Sequence, residues 1–242
     1  MMEKTIKLSF KVPTKLSDLT LGQLQRFRQV TDQVGEKSQE SEDFIKLKAL
    51  EIFCGLELKE SYKLPLSTFD SLVDNINKVL AEPTPLVHRF TFRGTNGVEV
   101  EFGMQPRINE IPLGEFGDLD EYMKDFSFAH RAMAVLFRPI INSYKDMYEI
   151  EEYESSDKYA DYMLHMPANV ALGAMVFFYR LGMKLSNHTI LYSLQQMSPE
   201  ERLQAESRFL EQNGVGINQF TLSLEEISSN LMKLRNFQSI SV

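Results

Sequence analysis

The chain has 242 residues, enough for one large domain or two small ones around a real core. Hydrophobic residues make up 43% and charged residues 25%, ordinary globular proportions that exclude wholesale disorder. A formal net charge of −8 argues against general nucleic-acid binding, which needs a basic surface to neutralise phosphates. Met1 to Arg28 holds no apolar run of the kind a secretory signal needs. The longest apolar stretch, Val170 to Met183, is too short for a bilayer and contains Arg180, so no transmembrane segment is expected. Cys54 is the single cysteine, which excludes an internal disulfide and the usual thiolate zinc sites. At an apolar helix end, with no basic neighbour to lower its pKa, it reads as a buried packing thiol.

Ile6 to Val12 alternates apolar and polar residues, the period of a half-buried strand, and Pro13 ends it. Thr20 with Gln23 three residues on forms a capping-box pattern that opens a helix through about Val30. Gly35 to Glu42 is polar and loop-like. Phe44, Leu47, Leu50 and Ile52 follow near helical spacing, with Gly55 placed to stop the helix. Phe69, Leu72, Val73, Ile76, Val79 and Leu80 make the apolar stripe of a third helix, halted by Pro83 and Pro85.

The clearest β signal is His88 to Phe102. Phe90 and Phe92 share a face of one strand, and Val98, Val100 and Phe102 share a face of the next. Gly94 to Gly97 joins them through an Asn-Gly pair suited to a tight hairpin. A lone hairpin is marginal in water, and the Ile6–Val12 strand is one candidate partner for it. Gly103 to Gly117, broken by Gly and Pro, predicts an ordered loop. Helices are expected over Asp118–Lys124 and Ser127–Phe137, the latter interrupted at Pro139. Tyr148 to Tyr153 alternates like an exposed edge strand, and Ser156–Met163 is helical. Pro167 suits the first turn of a long helix to about Leu185, with more helix to about Met197. Ser198 and Ser223 each open a further capping pattern. The fold class expected is mainly α with a small antiparallel β element: hairpin 88–102, with strand 6–12 as its candidate third strand. Residues 1–242 read as one helical domain with an inserted hairpin, and 186–242 as a C-terminal helical segment, part of it or a subdomain of its own.

The motifs that carry chemistry are absent. His88, His130, His165 and His188 lack any i, i+3 or i, i+4 pairing, so no metal site is expected, and His130 reads as a packing or hydrogen-bonding residue. The glycine groups do not lead from strand into helix, so neither a P-loop nor a dinucleotide fingerprint is present, and there is no GxSxG elbow. No catalytic residues and no cofactor are expected. A site assembled only by the fold is the enzyme alternative.

Charge is uneven. Glu110 to Asp161 carries 13 acidic residues against 5 basic ones, a balance of −8 that equals the whole chain's and leaves the remainder neutral. This is either a solvated face or an electrostatic docking surface for a basic partner. Glu149, Glu151, Glu152, Glu154 and Asp157 are its candidate contact residues. The helix from Met166 is apolar on almost every side, which places it in the core or against another chain, with core favoured. Ala171, Gly173 and Ala174 permit a close approach, and Phe177 and Phe178 join the candidate protein-contact residues.

Three segments carry a family resemblance: Gly114 to Asp120, Ala132 to Ile140, and Met166 to Phe178. Shorter pieces accompany them, Val12 to Thr14, Leu19 to Gln23 and Glu51 to Gly55. Together the pattern resembles a structural and assembly protein family of tailed bacteriophages, including crAss-like and some long-tailed phages. The resemblance implies a virion-associated protein, structural or packaged as cargo near the portal and tail, with other phage structural proteins as partners and self-association open. It implies the host cytoplasm during assembly and the virion thereafter. A transient tail-assembly chaperone, absent from the mature particle, is the alternative within the same family. The resemblance supplies no catalytic residues.

Overall fold

The computed structural model describes residues 10–34, 39–93, 99–145 and 147–178. The protein is mainly helical with one small antiparallel sheet. The predicted 94–97 turn, residues 6–9 of the predicted first strand, the continuation of the Pro167 helix and everything expected of 186–242 lie outside the described residues.

Helix α1 (Leu21–Gln33) starts at the capping box read from sequence. Gln23 N donates to Thr20 Oγ1 at 3.2 Å, and Thr20 N to the Gln23 side chain at 2.9 Å, so two otherwise unpaired helix-end donors are satisfied. The Gln23 amide also donates to the Ile52 carbonyl at 2.7 Å, tying α1 to α2 (Gln39–Cys54). Leu21, Leu24 and Phe27 form the buried stripe of α1, and Phe27 meets Phe53 of α2 at 5.1 Å between ring centroids. Gly55, at φ +69, ends α2 in the left-handed conformation that glycine tolerates best. Phe44 departs from the expected stripe and lies exposed, with the Lys48 ammonium over its ring. A short helix, α3 (Leu58–Ser61), intervenes before α4 (Leu66–Leu80), which buries Leu72, Ile76, Val79 and Leu80 as its spacing predicts.

The sheet has the order β1-β2-β3-β4. Strands β1 (Arg89–Arg93) and β2 (Glu99–Met104) form the expected hairpin, with Phe90 opposite Phe102 and Phe92 opposite Val100. Of the predicted strand 6–12 only Phe10 to Val12 are described, and they form no strand: Lys11 N–H donates to the Cys54 carbonyl. β3 (Phe137–Tyr144) takes the place beside β2, and β4 (Met147–Ile150) is the edge strand. Pro139 was expected to interrupt a helix. It acts earlier, because the residue before a proline is pushed towards extended backbone. The helix α6 (Ala129–Leu136) therefore stops before Arg138, and the chain enters β3 at Phe137.

Two further differences follow from packing. The predicted loop at 103–117 contains the first half of α5 (Leu113–Met123), entered from Pro112. Gly114 and Gly117 are poor helix formers, but the helix is held by the burial of Glu115 and Leu119 on its inner side. α6 is central: Ala132, Met133, Ala134, Val135 and Leu136 are all buried. Short helices cover Ser156–Lys158 and α7 (Ala160–Met163). An aromatic row then joins sheet to helix, with Phe92 against Tyr162 and Phe102 against Tyr159, both edge-on.

The last described helix, α8 (residues 168–178), begins one residue after Pro167. Its entry is sewn to the start of α1: Leu21 N–H donates to the Met166 carbonyl and Ala168 N–H to the Leu19 carbonyl, both at 2.9 Å. Ala168, Val170, Ala171, Leu172, Ala174 and Met175 are buried, so this stretch is core. Gly173 lies directly against the Pro85 carbonyl, where a methyl group would collide with backbone.

Candidate functional site: an acidic face built over a buried ion pair

The acidic segment folds back on its own few cations. Lys158 holds Glu151 at 2.6 Å and Glu154 at 3.2 Å, while Arg131 holds Asp157 at 2.6 Å. Lys124 lies between Glu121 (2.7 Å) and Asp120 (3.5 Å). Glu149 faces Asn142 across the β3–β4 pair at 3.4 Å, and Glu152 is exposed. Glu151 is the most constrained of the candidates. Its hydrogen bonds from Lys158 and the Tyr159 hydroxyl hold its carboxyl below the ordinary value. Burial and the same carboxylate push the Tyr159 phenol up to about 12. Of the candidate carboxylates, Glu151, Glu154 and Asp157 are thus already partnered inside the chain. Half-exposed pairs of this kind contribute little, so a partner's cation can exchange into them.

Under this face lies a buried pair that sequence reasoning did not single out. Arg138, at the start of β3, meets Glu115 of α5 at 3.1 Å, with the two side chains only 4% and 10% exposed. Gln105 reaches the same carboxylate at 3.4 Å, and the guanidinium lies over the Tyr153 ring, 5.5 Å from its centre. Arg138 Nε has no hydrogen-bond acceptor, and the Nη1 contact with Glu115 is close without being aligned as a hydrogen bond. Attraction in a poorly solvated setting, more than hydrogen-bond geometry, holds the pair. Tyr153 donates to Asp118 at 2.5 Å, and the Ser156 hydroxyl donates to the Tyr122 oxygen at 3.1 Å. Burial, then Asp118, keep Tyr153 protonated. The cluster locks α5, β3 and the 151–158 segment together, and none of its members is poised as a nucleophile.

No family model, characterised protein or solved structure matches this chain.

The remaining candidates fall as follows. Phe177 and Phe178 are half-buried against the core, their rings perpendicular at 5.3 Å. Cys54 is buried, and desolvation raises its pKa to about 11, which suppresses the reactive thiolate. His130 packs beside Gln25, whose amide nitrogen lies 3.1 Å from Nδ1, and burial pulls its pKa below the ordinary value. Among the described residues, no three His, Cys, Asp or Glu side chains gather as a metal would require. No described helix is long and apolar enough to cross a membrane.

Sequence reasoning also missed two exposed apolar surfaces. Ile141, Tyr144 and Met147 are exposed on the β3–β4 hairpin, and Leu113 and Phe116 on α5. A signal for the second was present, since Leu113, Phe116 and Asp120 follow helical spacing opposite Glu115, Leu119 and Tyr122. The glycines at 114 and 117 masked it.

Proposed function

We propose that the chain is a non-enzymatic, virion-associated protein of a tailed bacteriophage that acts through contacts with portal or tail components. It assembles in the host cytoplasm and passes into the particle. The phage setting rests on the resemblance carried by Gly114 to Asp120, Ala132 to Ile140 and Met166 to Phe178. The observation that supports a contact role is the β3–β4 hairpin. Residues 141 to 144 of β3 are all exposed, and Tyr144 pairs with Met147 across the hairpin. Ile141 lies at the irregularity between Ile140 and Asn142, where the pairing shifts register. Large apolar side chains held on an ordered projection are the usual anchors of protein interfaces. β4 is an edge strand, and its exposed Glu149 discourages indiscriminate strand pairing.

Proteomics of purified particles tests the reading. The protein is expected among virion components, and Ile141→Asp with Met147→Asp is expected to leave folding intact while lowering incorporation. Presence in infected cells with absence from mature particles would replace the reading with that of a transient tail-assembly chaperone.

A further inference from the structure

We infer that the outward face of α5 is a docking site for an amphipathic, basic helix of a partner protein. Leu113 is 87% exposed and Phe116 56%, yet the helix that carries them is anchored from behind by Glu115 on Arg138 and by buried Leu119. These apolar groups stand on the first turn of a helix whose other face is fixed to the core. Gly114 and Gly117 lie beside them on the exposed side, and a Cβ at either would meet nothing within 4 Å. Neither has the positive φ that would demand glycine. Packing within the described chain therefore does not explain two helix-weakening residues one turn apart. Without side chains they leave a shallow floor next to Leu113 and Phe116, and the distance between packed helices is set by the side chains at the contact.

Charge selects the occupant. Around this face, Glu110, Asp120, Glu121 and Asp125 stand against Arg107 and Lys124, a surplus of two negative charges, while Asp118 is turned inward to the Tyr153 hydroxyl. A second copy of the chain would bring the same surplus against itself, which is repulsive. A helix with aliphatic residues over Leu113 and Phe116, and Lys or Arg one turn along beside Asp120 and Glu121, satisfies both halves of the face. This inference stands apart from the phage setting, and absence of the protein from virions would leave it untouched.

The test is an NMR titration of the isotope-labelled full chain with a Leu/Lys amphipathic peptide of about five helical turns, alongside its Leu/Glu counterpart. Saturable shifts centred on α5 are expected, with the lysine peptide bound at least about tenfold more tightly and less so as salt rises. Gly117→Leu, whose Cβ meets nothing within 4 Å, fills the floor and should lose that binding about tenfold or more, with thermal stability kept or raised because leucine is the better helix former. Phe116→Asp should lose the binding too. Equal binding of the two peptides, no saturable binding, shifts centred elsewhere, or full binding by Gly117→Leu would overturn the inference. So would a dimer of the chain that Phe116→Asp dissolves.

Discussion

Arg138 and Glu115 sit 3.1 Å apart in a part of the molecule almost closed to water, and they join the first residues of β3 to the inner face of α5. Removing one member leaves the other's charge buried and uncompensated. Glu115→Gln or Arg138→Met alone should cost about 3–5 kcal/mol, read by urea unfolding. The double variant should recover much of that loss, because it leaves no unpaired charge buried. Additive losses in the double variant would show that the pair is not the unit that matters.

The Glu151 carboxyl carries a pH signature. Its folded pKa lies below the ordinary value of 4.5, so its contribution to stability is fully present above that value and fades as pH falls through the folded pKa. Glu151→Gln should therefore melt lower than the native chain at pH 7, and the gap should narrow below about pH 4. Melting curves across pH 3 to 7 (roughly the range over which a carboxylate titrates) check this. A gap independent of pH would assign the loss to packing.

Two glycine-to-alanine substitutions should move stability in opposite directions. At Gly173 the new methyl meets the Pro85 carbonyl and the Leu86 backbone, neither of which can yield easily, so a loss of about 1–3 kcal/mol is expected. At Gly114 it enters open space on a helix, so a gain of up to about 1 kcal/mol is expected. Denaturant midpoints measured side by side decide it.

Cys54 should be silent to thiol reagents in the native chain. With its pKa near 11, only about one thiol in ten thousand is ionised at pH 7, and the side chain is buried besides. Labelling should track unfolding, rising with denaturant along the same curve as circular dichroism. Rapid labelling without denaturant would mean that the end of α2 opens locally.

Local sequence was decisive wherever one residue's own chemistry sets the backbone. The Thr20–Gln23 cap, the stop at Gly55, the α4 stripe and the two strands of the β1–β2 hairpin all follow from periodicity and capping within a few residues. The mainly helical class with a small sheet follows from the same signals. Tertiary structure decided what depends on residues far apart. The strand beside β2 is 137–144, set by the extended backbone before Pro139 and by the register with Phe102, whereas a period-two pattern such as 6–12 carries no information about its partner. The acidic segment was legible as a charge excess, but charge counts do not show that Lys158, Arg131, Lys124 and Arg138 would each be held by those same acids. Most of all, the first half of α5 read as a loop because its glycines weaken a helix locally. Only the burial of Glu115 and Leu119 against distant parts of the chain makes it a helix, and so gives Leu113 and Phe116 a surface to stand on.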